Sequence, residues 1–262
     1  MHTTIEEMLR RLPGRIGLYY CCPDSGEQYA YHADEPMVAA SVIKLPIMVE
    51  AFRQMEAGII SREEPVTIRR EDKLPSCGAL AYLHDGLNVT LGDLVTLMVI
   101  LSDNTATNLL IDRLGMEAVN RTIDELGLTG TRLNRKLFQP ELSARGVENY
   151  VTAADMGRLL LMMMRGEAVS REASREMMTL LGNQRLNGKI PFYLHSRGIP
   201  VAHKTGEDDG ITHDVGVIFD DEPKVLCFLS NRTLVPQAER TMQEIAALVA
   251  GTHTEERGWK FF

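Results

Sequence analysis

The chain has 262 residues, 44% of them apolar and 24% charged, with a formal net charge of −8. A chain of this length builds one large domain or two ordinary ones around a real core, and its acidic balance, spread along the sequence, argues against a nucleic-acid partner. No apolar run reaches the roughly 18 residues of a spanning helix, so no membrane span is expected.

The N-terminus "MHTTIEEMLRRLPGRIGLYY" has no basic region followed by an apolar one. A cytoplasmic protein is expected from the sequence as it stands, and an exported one if a signal peptide has been removed. Residues 3–11 predict a short amphipathic helix. "RIGLYYCC" (15–22) and "EQYAYH" (27–32) predict strands, joined through "PDSGE" as a hairpin. A helix is expected to follow Ser41 and run to about Glu56, with Pro46 near its first turn.

Helical patterns then cover 91–103, 104–115 and 116–127, the last two closed by Gly115 and Gly127. Another covers 152–166, opened by Thr152 and Asp155 at capping-box spacing, and a further one covers 170–184. The "LMMM" of Leu161–Met164 reads as adaptable core filler. Strands return at 201–206, 213–220 and 224–231, before an amphipathic helix at 236–251. The expected fold class is α+β: an antiparallel sheet built from both chain ends, flanked by terminal helices, with an inserted all-helical lobe. The expected division is 1–56 with 187–262 for the sheet domain and 57–186 for the helical domain, the active site lying between them.

Four cysteines stand at 21, 22, 77 and 227, none in CxxC spacing, and read as reduced thiols, with a disulfide from Cys77 as the alternative. The C-terminal "RGWKFF" offers three aromatics to dock on the sheet or on a partner.

"PMVAASVIKLPIMVEAF" (36–52) places Ser41 and Lys44 alone among apolar neighbours. Three residues apart on a helix, the two share a face. A lysine whose pKa is lowered by desolvation is a base able to activate a serine. The pair also reads as a cap serine and a snorkelling lysine. "SDN" places Ser102 and Asn104 between two helices, where Ser102 can relay a proton and Asn104 can donate to a carbonyl, or where both simply make a helix-break turn. "KTG" places Lys204, Thr205 and Gly206 on a strand, suited to holding a carboxylate with the substrate backbone close by.

S-x-x-K, S-D-N and K-T-G in this order resemble the motif set of the class A β-lactamases and their D-alanyl-D-alanine peptidase relatives, and the resemblance covers nearly the whole chain. It implies that Ser41 is the acylated nucleophile and Lys44 its base. Ser102 would pass a proton to the leaving nitrogen, and Asn104 would position substrate. Lys204 and Thr205 would bind the substrate carboxylate, and the backbone N–H groups of Ser41 and Glu207 would form the oxyanion hole. Lys224 stands where some members keep a carboxylate-binding arginine. His213 is expected to line the pocket, and His195 and His203 to be ordinary hydrogen-bonded histidines. No metal or cofactor is expected. The partner would be a small-molecule amide or ester, and the protein a monomer.

The pattern breaks in the loop "RLNRKLFQPELSARGVENYVTAADM" (132–156). Aligned on "PEL", the family's water-activating glutamate is Gln139 here, and an amide has no useful basicity. Glu141, ahead of Glu148, is the replacement carboxylate to consider. Slow deacylation is therefore expected of a β-lactam hydrolase built on this chain. A peptidase, an esterase and a penicillin-binding sensor that does not turn over are the other readings. The acidic "EDD" at 207–209 would repel a carboxylate-bearing substrate, with Lys204 and Lys224 as the offset.

Overall fold

A computed structural model describes residues 1–250. The aromatic C-terminus lies outside the described residues. From the N-terminal end come strands β1 (Arg15–Cys22) and β2 (Glu27–Tyr31), paired antiparallel. From the C-terminal end come β7 (Val201–Asp208), β8 (Ile211–Ile218) and β9 (Lys224–Asn231), an antiparallel meander. β1 docks on β9, giving one sheet ordered β2-β1-β9-β8-β7.

The sheet is covered on both faces, and the strands alternate accordingly. Leu226 and Phe228 meet α1 (His2–Arg10) and α10 (Val235–Val249) on one side. Val225, Cys227 and Leu229 meet the helical layer on the other. That layer holds α2 (Lys44–Glu56), α3 (Leu91–Ile100), α4 (Asn104–Leu114), α5 (Met116–Glu125), α7 (Ala153–Arg165) and α8 (Arg171–Gly182). Two single-turn helices, α6 (Pro140–Ser143) and α9 (Phe192–His195), sit in connections. All four cysteines are free thiols.

The structure departs from the expected elements in physically readable ways. Ala40–Ile43 is a 3-10 turn, and the α-helix starts at Lys44 rather than at Ser41. Pro46 then lies in the first turn, where its missing N–H is not needed. α2 is buried over most of its circumference and packs among α3, α4, α5 and α8. It is the axis of the helical layer. Thr152 caps α7 by accepting from Asp155 N at 3.0 Å, but the Asp155 carboxylate goes to Gly130 N and Thr131 Oγ1, both at 2.8 Å. It therefore ties the incoming loop to the helix. Two short antiparallel ladders carry too few residues to show a period: β3 (Met37–Val38) with β6 (Tyr150–Val151), and β4 (Pro65–Ile68) with β5 (Leu87–Thr90).

β3 is the segment that brings Ser41 to the sheet, and His213 fastens it there. The imidazole is wholly buried; Nδ1 accepts from Ser230 N–H at 3.0 Å and Nε2 donates to Val38 O at 2.8 Å. Asn231 adds a second clasp, accepting from Val38 N at 2.7 Å. His213 is thus a neutral strut beneath the site, not the pocket-lining residue expected from "THD". On the inner face, α7 lies so close to β1 that a Cβ at Gly157 would fall 2.2 Å from the Tyr19 ring.

Two outcomes follow. Gly157→Ala would normally stabilise a helix by up to about 1 kcal/mol. Here overpacking against Tyr19 reverses the sign, with an expected net loss of about 1–3 kcal/mol in urea unfolding. For His213, burial first and then the Lys189 charge lower the pKa from 6.5 to about 4. The unfolded chain therefore takes this proton first as pH falls. Stability present above pH 6.5 should decline toward pH 4 by about 3 kcal/mol from this group. Unfolding measured across that range should show the decline, and His213→Gln should remove this component of it.

Candidate active site

Ser41 is presented by the 3-10 turn, after Ala40 at a φ of 42°. Lys44, the first residue of α2, has no solvent exposure. Its Nζ lies 2.9 Å from Ser41 Oγ, 2.7 Å from Ser102 O, 3.0 Å from Ser102 Oγ and 2.9 Å from Asn104 Oδ1. All four are neutral oxygens. Burial pushes the Lys44 pKa well below the usual lysine range, and the nearby Lys204 charge pushes it the same way. A neutral amine has two N–H bonds and one lone pair. Two of its neighbours, Ser102 O and Asn104 Oδ1, can only accept. They claim both N–H bonds, and the lone pair is left for a hydroxyl proton.

Ser102 sits just past α3 with a φ of 54°, a left-handed conformation that costs a non-glycine residue energy. That geometry turns both its carbonyl and its hydroxyl toward Lys44. Asp103, which the motif reading gave no role, holds the turn. Its carboxylate accepts from Ala106 N at 2.9 Å as the cap of α4, and from Ala79 N at 2.7 Å and Leu80 N at 2.9 Å. Gly78 makes room for this, since a Cβ there would lie 2.3 Å from the Asp103 carboxyl. Asn104 Nδ2 donates to Pro75 O at 3.1 Å, which fixes Oδ1 toward Lys44.

β7, at the edge of the sheet, supplies the other wall. Lys204 Nζ donates to Ser102 Oγ at 3.0 Å and Thr205 O at 2.9 Å, so one hydroxyl stands between two lysines. Burial lowers the Lys204 pKa to about 7, against a partial offset from Asp214. Gly206 admits the Ser41 turn: a Cβ would lie 3.1 Å from Val42 and 3.2 Å from His213. Glu207 lines the cavity, but its carboxylate turns to Lys189 at 3.0 Å.

Lys189 was missed by sequence reasoning, because "NGKIP" belongs to no periodic element. Its ammonium is buried and also reaches Gly206 O at 3.1 Å and His213 O at 3.2 Å. It is a second buried cation beside β7, where Lys224 was the one expected. Lys224 pairs with Ile218, which pairs with Val201, so the antiparallel register places it at the far end of the sheet from Glu207. There Asp220 holds it at 2.6 Å. His195 likewise lies on a separate cavity, beside Ile199 and Phe219.

A cavity of about 530 Å³ opens over Ser41, bounded by Cys77, Asn104, Phe138, Gln139, Glu148 and Asp208 among others. Gln139 does face it, and its Oε1 accepts from Lys136 N at 2.9 Å. Glu141 is not among its walls; the loop carboxylate that lines it is Glu148, reversing the expected order. Glu148 is clamped by Arg135 through Nη2 at 2.5 Å and Nε at 3.1 Å, and it accepts from Ser143 Oγ. Among the described residues no three His, Cys, Asp or Glu side chains converge as metal ligands.

A model of the β-lactamase enzyme family matches residues 1–252. A β-lactamase of Rhodobacter capsulatus is 29% identical over 174 residues, which is 65% of this chain and 58% of that protein, so the match spans less than two thirds of its length. The β-lactamase structure from Sphaerobacter thermophilus superposes with a TM-score of 0.86 at 32% identity, covering 94% of this chain and 93% of that one. PBP-A superposes equally well, with a TM-score of 0.86 at 28% identity over 95% and 93% of the two chains. A substituted PBP-A, solved as an acyl-enzyme complex with penicillin-G, gives 0.84 at 26% identity over 95% and 94%. With a family match over nearly its full length, this chain belongs to the β-lactamase enzyme family.

Proposed function

We propose that the protein is a serine hydrolase that opens β-lactam amides through an acyl-enzyme on Ser41 and releases the acyl group slowly. The observation that carries this reading is the buried Lys44 amine, 2.9 Å from Ser41 Oγ and surrounded by neutral oxygens. Its N–H bonds are committed to Ser102 O and Asn104 Oδ1, so its lone pair takes the Ser41 proton as Oγ attacks the carbonyl. The backbone N–H groups of Ser41 and Glu207 stabilise the oxyanion. Ser102 Oγ, within 3.0 Å of both lysines, returns a proton to the leaving nitrogen. Lys204 and Thr205 hold the substrate carboxylate, with Lys189 adding positive potential that offsets Glu207.

Release needs a base near a water on the open side of the acyl group. Gln139 cannot serve, and Glu148 is occupied by Arg135 and Ser143. The long-lived adduct this implies brings the protein close to a penicillin-binding protein in behaviour, in keeping with its likeness to PBP-A.

Mixing the protein with a chromogenic cephalosporin and following intact mass tests the reading. A one-to-one adduct should form and outlast many acylation times, and Ser41→Ala should abolish it. Absence of any adduct would sink the assignment. Lys44→Met should slow acylation at least about 100-fold, the scale of a lost general base. Gln139→Glu should shorten the adduct lifetime at least about 10-fold; an unchanged lifetime would mean that this position does not reach the deacylating water.

The acylation rate should also be bell-shaped in pH. It should rise as Lys44 loses its proton, and fall as pH passes about 7 and Lys204 loses the charge that holds the carboxylate. A profile flat through neutrality would remove Lys204 from that role.

A further inference from the structure

At the end of the sheet away from Glu207, β8 runs on into Phe219, whose N–H donates to Pro200 O at 2.9 Å. A cavity of about 360 Å³ lies here between the end of α7, one face of α8 and Phe219. The reaction scheme above makes no use of it. Its floor is apolar: Met163, Met178 and Phe219 are buried, and Met164 is half-buried beside them. Its rim is cationic. Arg171, Arg175 and Met178 fall at helical spacing on one face of α8, and Arg165 stands in the last turn of α7.

These three guanidinium groups have no carboxylate or hydrogen-bond partner among the described residues. Elsewhere on the chain Arg53, Arg62, Arg113 and Arg135 each meet a carboxylate at 2.5 or 2.6 Å. Glu176, beside Arg175 in sequence, is the carboxylate taken by Arg62. On a chain of net charge −8, three unpaired arginines around an apolar hollow reverse the local sign. Met178 and Phe219 also line the cavity of about 220 Å³ beside His195, whose other walls include Ile199 and Ala202. The two hollows thus share a wall, and half of it is methionine, a side chain that re-packs readily.

We propose that this groove binds a free medium-chain fatty acid, its carboxylate among Arg165, Arg171 and Arg175 and its chain over Met163, Met178 and Phe219. A guanidinium takes a carboxylate through paired N–H bonds, and the floor takes the methylenes out of water. The volume is that of a small-molecule site. A small inorganic anion would leave the floor wet, and a neutral lipid would leave the arginines unpaired. None of the exposed large apolar side chains of the described residues borders the cavity. With no apolar collar to enter a bilayer, the groove suits a single amphiphile rather than a membrane surface. It lies at the opposite end of β7 from Gly206 and the Ser41 turn, so the proposal stands apart from the reaction of Ser41.

The test is a titration with sodium decanoate of the full chain, labelled with carbon-13 at the methionine methyls. Met163→Leu and Met178→Leu, which conserve volume, assign the two signals. The Ser41 cavity has no methionine among its described walls, so these labels separate the two sites. Decanoate should shift both signals saturably, at one molecule per chain. Each methylene removed should weaken binding about fourfold, so octanoate should bind about 15-fold less tightly. 1-Decanol should bind at least about tenfold less tightly than decanoate. Arg171→Gln combined with Arg175→Gln, both on exposed positions, should erase that preference and leave decanol binding unchanged.

No shift at these methyls, binding indifferent to chain length, or a carboxylate preference that survives the arginine substitutions would overturn the proposal. Binding to phosphatidylglycerol vesicles in place of decanoate would do the same, and would make the groove a membrane contact. Trp259, the single tryptophan, tests the remaining occupant. If decanoate exposes a previously shielded Trp259 to iodide quenching, the groove belongs to the chain's own C-terminus and the fatty acid is not its occupant.

Discussion

The site is organised around one electrostatic constraint: an amine held in the core with no carboxylate among its hydrogen-bond partners. Burying a charge without a counter-ion is expensive, and the group yields its proton instead. Around Lys44 the fold provides only neutral oxygens, and it places a second lysine within range. Much of the local architecture serves this arrangement. The switch from 3-10 turn to α-helix at Lys44, the left-handed Ser102 and the amide of Asn104 fixed by Pro75 together aim four oxygens at the same nitrogen, two of them from Ser102. Asp103 stays outside that shell, spending its carboxylate on the loop that closes over it.

The parts of this site legible in sequence are those with short-range chemistry. Ser41 and Lys44 are one turn apart, and an apolar run on both sides announces burial. Strand and helix spans were readable wherever hydrophobic period ran for eight residues or more, as in β9 and α10. What was hidden depends on register and on loops. Lys224 looked suitable because it opens a strand soon after the motif strand, yet that strand, β9, is separated from β7 by β8, and the antiparallel register sends its start to the wrong end. Lys189, in an aperiodic segment, becomes a site residue only when that segment folds back on Gly206. Glu148 overtakes Glu141 because Arg135, thirteen residues earlier, draws it inward across a closed loop.

The two buried histidines of the C-terminal strands show why residue type alone does not disclose role. They lie ten positions apart, His203 on β7 and His213 on β8, with equal burial. Their partners decide everything. Backbone groups of opposite polarity keep His213 neutral and make it a strut. His203 instead lies between the Asp214 carboxylate and the Asn187 side-chain oxygen, which tie β7 to β8 and to the segment before Lys189.

The position of β7 has a meaning beyond catalysis. An open edge strand is a template on which another chain can add a strand. Here the turn Ala40–Ile43 packs along β7, with Val42 set against Gly206. The turn that carries Ser41 therefore also covers part of the sheet's free margin. A substitution that loosened this turn would uncover the edge of β7 as well as move Ser41.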